Sequence, residues 1–308
     1  MRVLATTGDG TATPVDAPMP VPGSREVLVR VEAATINYVD RFIASGAVHQ
    51  LGLITHDGAV GLGWDAVGRV ESVGPEVRTV SVGDRVAGVR VADDTIYGAI
   101  ADYVVLPEAD VALVPDTLTS TEAASIGMNA LTVAQALALF GDAGERTLLV
   151  TGAAGGLGGS AIEQAVAAGW TVTGLARESD QEFVESRRAR LVTELDGTTY
   201  DAVFDAAPLQ FDDQLLKTVL LPSVAPGGTF CSVLALLPIP EVPDATAFAV
   251  EVKPDGPVLG SLLQRAEARE LSARIAGTVP LERAGDTLQS AFAGGVRGRW
   301  VVQPSPSS

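Results

Sequence analysis

Apolar and polar side chains alternate through Glu26-Val27-Leu28-Val29-Arg30-Val31-Glu32, a period of two that predicts a half-buried β-strand. Similar runs at residues 66–73, closed by Gly74-Pro75, and at residues 84–89 predict two more strands, with glycines breaking the pairs. The first 115 or so residues thus read as a β-rich domain of short strands, in the pattern of a partly open barrel. From Ser120 the character changes: an Ala- and Leu-rich stretch through Phe140 predicts a helix, with Thr119 or Ser120 as its cap. Strands then alternate with helices: strand 147–150, helix 156–168, strand 171–175 and, later, strand 201–204. That alternation means a parallel sheet with helices on its faces. The tail returns to helices at 258–269 and 283–292, with a turn at Pro280, then a strand at 299–302 and a frayed end at 304–308.

A chain of 308 residues is long for one core and fits two domains. Its 47% hydrophobic and 19% charged residues are those of a globular protein, and no apolar run reads as long and uninterrupted enough to span a bilayer. A net charge of -17 with no Lys/Arg-rich block excludes a nucleic-acid partner, because such affinity rests on cations neutralising phosphates. The single cysteine, Cys231, has no partner for an internal disulfide and reads as a buried strand residue that packs as a small hydrophobe. The first residues carry no secretory apolar core, so a cytoplasmic setting is expected.

The most informative run is Val150-Thr151-Gly152-Ala153-Ala154-Gly155-Gly156-Leu157-Gly158, which follows an apolar strand and opens an amphipathic helix. A dinucleotide pyrophosphate needs backbone N–H groups at a helix N-terminus and no side chain where the backbone approaches. Gly155 and Gly158 meet that need on sequence, with Ala154, Gly156 and Leu157 completing the turn, while Ala153 stands where the first glycine of the fingerprint would be. About 20 residues on, the second strand ends in Gly174-Leu175-Ala176-Arg177. Arg177 suits the extra phosphate of NADP and no acid occupies the strand end, which favours NADPH over NADH; Glu178, next along, opposes that choice. Only 24 residues separate Ala176 from Asp201, so a helix or strand must be shortened there.

Several motifs in order resemble one family. They are Asn37-Tyr38-Val39-Asp40-Arg41, the run from Gly63-Trp64-Asp65 to Gly74, Val82-Gly83-Asp84-Arg85-Val86, Gly98 to Val104, Asn129-Ala130-Leu131-Thr132, the glycine turn, and Gly298-Arg299-Trp300-Val301-Val302. Together they resemble the medium-chain dehydrogenase/reductase superfamily, in its zinc-independent quinone oxidoreductase branch. The resemblance implies a GroES-like domain from residues 1–120 and 255–308, a Rossmann NADP-binding domain from 121–254, and a substrate cleft where they meet. It also implies that Asn37 and Thr132 lie near the nicotinamide, that Tyr38 and Asp40 lie beside the substrate, and that the protein is a homodimer paired through a sheet edge at residues 246–252.

Where zinc-dependent relatives have Cys and His ligands, this chain has Asn37 and Trp64, and its one Cys and two His cannot assemble a usual zinc set. His49 and His56 read as solvated residues of a Gly-rich loop. Without a Lewis acid the hydride acceptor must be intrinsically electrophilic, as quinones and α,β-unsaturated ketones are. Tyr38 is then either a hydrogen-bond donor to the substrate oxygen, with Asn37 positioning, or an aromatic wall of the cleft; Asp65 reads as structural. A short-chain dehydrogenase is excluded because none of Tyr38, Tyr97, Tyr103 and Tyr200 has a Lys four positions later. The remaining rival is a nucleotide-binding redox sensor or structural relative without turnover.

Overall fold

The computed structural model describes residues 1–56, 58–91, 95–207, 213–233, 235, 238–239, 241–242, 244–292 and 295–304. Most of the expected frayed end, 305–308, lies outside them. The chain forms two compact units, one of residues 1–128, 254–269 and 273–308, the other of residues 129–253 and 270–272.

The first unit begins with β1 (Arg2–Thr6), β2 (Thr13–Asp16), β3 (Glu26–Thr35), helices α1 (Tyr38–Ala44) and α2 (Ala47–Gln50), and β4 (Val60–Gly61). It continues with β5 (Asp65–Val73), β6 (Arg85–Val89), β7 (Tyr103–Pro107) and β8 (Val111–Leu113). The helix α3 (Ser120–Phe140) then carries the chain into the second unit. There follow β9 (Thr147–Thr151), α4 (Gly156–Ala167), β10 (Thr171–Leu175), α5 (Gln181–Glu185), β11 (Arg190–Val192) and β12 (Tyr200–Asp205). A single turn α6 (Asp213–Leu215), β13 (Val224–Ser232) and β14 (Thr246–Ala249) complete it. The chain returns to the first unit with α7 (Gly256–Glu267), β15 (Ile275–Pro280), α8 (Ala284–Ser290) and β16 (Arg299–Gln303).

In the first unit the main sheet runs β15-β16-β3-β5-β6-β8, with β7 also paired to β3, and a smaller sheet runs β2-β1-β4. Strand β3 therefore sits at a junction, antiparallel to β5, β7 and β16. This corrects the half-buried reading of its alternation: Val27, Leu28 and Val29 are all buried, and only Arg30 of the strand is exposed. A strand flanked by three others has little free surface, whatever its period. The core of this unit gathers Leu4, Val29, Leu62, Ile100, Leu106 and Val302.

The second unit is a six-stranded sheet in the order β11-β10-β9-β12-β13-β14, every pair parallel. Its strands bury both faces. Leu148, Val150, Ala202 and Phe204 join Ile162, Phe140 and Trp170 on one side, and Leu149, Val203 and Phe230 join Leu216 and Leu220 on the other. Alternate residues of one strand thus enter different cores, which is why parallel strands read as continuous apolar runs. The order reverses direction between β9 and β12, and ligands of open α/β sheets bind outside the carboxyl ends of the strands at such a point.

Of the two candidate caps for α3, Thr119 acts: Glu122 N–H donates to its Oγ1 (3.2 Å) and its own N–H donates to Glu122 Oε2 (2.9 Å), a reciprocal capping box. Contrary to the sequence reading, α3 is long and apolar enough to meet the length and composition of a membrane span, with a mean hydropathy of 1.5. Two-thirds of that stretch, 67%, is buried against the fold, the position of a core helix. The shortened segment is explicit: α5 has five residues, β11 three, and no helix stands between β11 and β12.

Candidate functional site

The glycine turn lies where the strand pattern put it. Thr151 ends β9, Gly152 takes a left-handed φ of 56°, and Gly155 caps α4 in an extended conformation, its N–H donating to Gly152 O at 2.8 Å. A Cβ on Gly158 would stand 2.2 Å from that same carbonyl oxygen, so no other residue fits there. Gly158 therefore seats the helix directly on its own turn. At Gly155 an added Cβ meets only Gly152 O, at 3.2 Å, so this is the position of open backbone approach. Ala153 and Ala154 are buried; Gly155, Gly156 and Leu157 keep partial exposure at the helix N-terminus, whose first amides have no partner within the helix. The dipole and these donors favour an anion. Beneath the turn, Thr151 Oγ1 donates to the fully buried Asp205 (2.5 Å) and accepts from Ala207 N–H (3.1 Å), tying the ends of β9 and β12 together at the switch point.

Arg177 follows β10, is exposed, and caps the short turn Glu178–Asp180. Gly174 in β10 lets Ala153 pack within 2.7 Å of where its Cβ would be, so strand and turn touch directly. The shortened segment is held by contacts the sequence reading missed. Phe183 of α5 lies against Gly159 of α4, and the Arg187 guanidinium stacks 3.6 Å over the Phe183 ring while its Nε donates to Glu163 (2.9 Å). Thr132 is buried on α3 in this unit.

In the first unit the structure gathers a different set. Asn37 precedes α1 and is 6% exposed; its backbone N–H donates to Asp40 Oδ2 (2.7 Å), and Gly63 N–H donates to Asp40 Oδ1 (2.7 Å). Asp40 is fully buried, and its carboxyl ties the start of α1 to the loop between β4 and β5. Burial pushes its pKa up to about 7, against the two backbone donors that favour the ionised form. Asp65, 1% exposed, accepts from Thr35 N–H (3.2 Å), Met128 N–H (3.3 Å) and Arg299 Nη2 (3.1 Å). Arg299 Nη2 also donates to Thr35 Oγ1 and to Asn37 Oδ1, while Asn37 Nδ2 donates to Thr35 O at 3.2 Å. The result is a buried cluster of two acids, one guanidinium and one amide. Its signal in the sequence was slight: a lone cation opening the apolar strand Trp300-Val301-Val302, and Thr35 at the end of β3.

Tyr38, first residue of α1, is half-buried and makes an edge-on contact with Phe292 (5.2 Å between ring centres), and burial raises its phenol pKa, so the hydroxyl keeps its proton at neutral pH. His49 is in α2, not in a loop, with both ring nitrogens buried and unbonded, and His56 Nδ1 accepts from Gly58 N–H (2.9 Å). Cys231 is fully buried in β13, its thiol pushed up to about 12 by that burial. A separate concavity of about 660 Å³ is lined by residues including Met19, Arg90, Tyr97 and Tyr103, and none of the residues singled out above lines it.

Residues 23–116 match the alcohol dehydrogenase GroES-like domain. The quinone oxidoreductase of Sus scrofa is 31% identical over 66% of this chain, a stretch that spans 57% of that protein's length. A chloroplastic quinone-oxidoreductase homolog of Spinacia oleracea is 26% identical over 94% of this chain and 93% of its own. The solved quinone oxidoreductase of Coxiella burnetii superposes with a TM-score of 0.85 at 24% identity, covering 98% of this chain and 99% of that one. These likenesses support the medium-chain dehydrogenase/reductase superfamily, in its quinone oxidoreductase branch, for this chain. The β-rich first unit is thus the GroES-like part, and the parallel sheet the Rossmann part. Proteins of this family use a nicotinamide cofactor, and the open amides before α4 are where this chain's own geometry fits the pyrophosphate of one.

Proposed function

We propose that the protein is an NADPH-dependent reductase that passes hydride, without a metal, to a quinone or another α,β-unsaturated carbonyl compound. The observation that carries the reading is the turn between β9 and α4 at the switch point of the parallel sheet, with Gly155 open to backbone approach and the first amides of α4 available to an anion. Gly155, Gly156, Leu157 and Gly158 with the backbone of Ala154 would hold the pyrophosphate, Arg177 the 2′-phosphate, and Asn37 and Thr132 the nicotinamide end. The bound cofactor supplies the hydride; the protein orients it and the acceptor.

The metal-free part rests on the donor set. By the resemblance, Asn37 and Trp64 stand where metal-dependent relatives have Cys and His, and the Asn37 carbonyl oxygen is engaged by Arg299. Among the described residues no three His, Cys, Asp or Glu side chains group as a metal site would require. An acceptor that delocalises the incoming charge then needs only a hydrogen-bond donor at its oxygen, and the neutral Tyr38 hydroxyl fits that role. The partner in solution is a second copy paired along β14, the edge strand of the six-stranded sheet.

The test is oxidation of NADPH at 340 nm with benzoquinones, naphthoquinones and enones, NADH in parallel and a chelator control. Turnover that prefers NADPH and ignores the chelator is expected. Tight NADPH binding with no turnover on any acceptor would replace the reductase by a nucleotide-binding sensor, and a monomer by light scattering would remove the paired edge.

A further inference from the structure

The Asn37 amide is held at both ends, and the chemistry of its neighbours dictates which end is which. A guanidinium has donors and no acceptor, so the group facing Arg299 Nη2 must be the Asn37 carbonyl oxygen. On the other side Nδ2 faces the Thr35 backbone carbonyl at 3.2 Å, an acceptor with no proton to give. Turning the amide over would set NH₂ against guanidinium and C=O against C=O, two repulsive contacts in a buried site. The guanidinium is fixed in turn. Its Nη2 is shared among Asn37, Thr35 and Asp65, Asp65 takes further donors from Thr35 and Met128 backbone N–H groups, and both ends of the Arg299–Asp65 pair are under a tenth exposed.

We infer that Arg299 is a positioning residue that fixes Asn37 as a hydrogen-bond donor. One Nδ2 hydrogen is used on Thr35 O (3.2 Å); Thr35 Oγ1 lies farther off, 3.5 Å from Nδ2, and against that long contact an acceptor on a bound molecule, such as the carboxamide oxygen of a nicotinamide or the oxygen of a carbonyl substrate, competes for the second hydrogen. This deepens the reductase reading and depends on it for the effect on turnover, though not for the orientation of the amide. Asp65 and Thr35 act through Arg299 and touch neither ligand. With a donor-only guanidinium behind it, Asn37 cannot swing its carbonyl outward to serve as an acceptor, so ligands that donate at this point are excluded.

The chain contains two asparagines, Asn37 and Asn129, so selective ¹⁵N labelling of asparagine side chains gives an NMR spectrum of two amide pairs, and Asn37→Asp assigns them. The variant to compare is Asp65→Leu/Arg299→Met, which removes the buried charges together. Arg299→Lys serves as a second variant, keeping a positive charge near Asp65 without the guanidinium whose Nη2 reaches Asn37. In the protein without cofactor, the Asn37 pair should shift in both variants and the Asn129 pair should not. With NADPH and 1,4-benzoquinone, kcat should fall about tenfold or more in the double variant while it stays folded at the assay temperature, with Arg299→Lys intermediate. An Asn37 pair indifferent to both substitutions overturns the inference, as does a shifted pair with kcat retained. If the wild-type protein turns over no acceptor, the reductase reading fails separately. The inference is then judged by NADPH alone, which must move the Asn37 amide in the wild type and not in the double variant.

Discussion

The turn before α4 and the cluster around Arg299 are built in opposite ways. The turn works by the absence of side chains: Gly158 is obligatory because any Cβ would meet Gly152 O, and Gly155 leaves backbone open. The cluster works by their presence, with three buried side chains, those of Thr35, Asn37 and Asp65, converging on one guanidinium nitrogen. The first spans seven residues from Gly152 to Gly158; the second joins Thr35 to a residue 264 positions away. Local backbone geometry is thus set by a short string of residues, whereas a buried polar cluster exists only if distant strands meet in register. The two should fail differently, the turn through loss of nucleotide affinity and the cluster through loss of stability.

The largest effect is expected from splitting the buried pair. Asp65→Leu alone leaves Arg299 without its carboxylate and should cost about 3–5 kcal/mol, while Asp65→Leu/Arg299→Met should recover most of that. Denaturant unfolding of the two variants measures the difference, and equal losses would show that the pair is not coupled. Gly158→Ala comes next. Displacing the turn backbone should cost about 1–3 kcal/mol and, unlike the Asp65 change, should weaken NADPH binding about a hundredfold, read by fluorescence titration. Normal affinity in Gly158→Ala would sever the turn from the cofactor.

Asp40 gives a pH-dependent test of the cluster. Its folded pKa of about 7 lies above the ordinary carboxylate value, so the folded state holds the proton more tightly; the stability this contributes is complete below about pH 4 and lost as pH rises through 7. Asp40→Asn gives up one acceptor for the Asn37 or Gly63 N–H, at about 1–3 kcal/mol, but has no proton to lose. The wild-type advantage over Asp40→Asn should therefore be greatest near pH 5 and shrink by pH 8 in thermal melts. A constant difference would mean that Asp40 stays ionised throughout. The smallest effect on stability belongs to Tyr38→Phe, within about 0.5 kcal/mol for a half-exposed hydroxyl, yet kcat at saturating quinone should fall about tenfold if the hydroxyl serves the acceptor oxygen. Full turnover in Tyr38→Phe would leave the ring as a wall beside Phe292.

Much of the fold was legible in the chain. The strand at 147–150, the glycine run, the helix after it and the strand at 171–175 carry their periodicity within about thirty residues, and all appear with boundaries moved by a residue or so. Even the shortening before β12 was implied by the count of residues available, though not which element gives way. The burial of β3 was not legible, because alternation reports one strand and not the three that pair with it. The position of His49 in a helix and the work of Gly158 in packing were likewise hidden, since each depends on which backbone atoms come close.

By itself, then, the sequence determined the two-part architecture, the parallel sheet and the place of the glycine turn, because period, spacing and the steric limits of glycine act over neighbouring residues. Only the tertiary structure decided that Asp40 is buried under two backbone donors, and that Arg299 closes on Asn37 and Asp65. A buried charge is tolerable only where its partners arrive together, and in this protein they arrive from strands far apart in the chain.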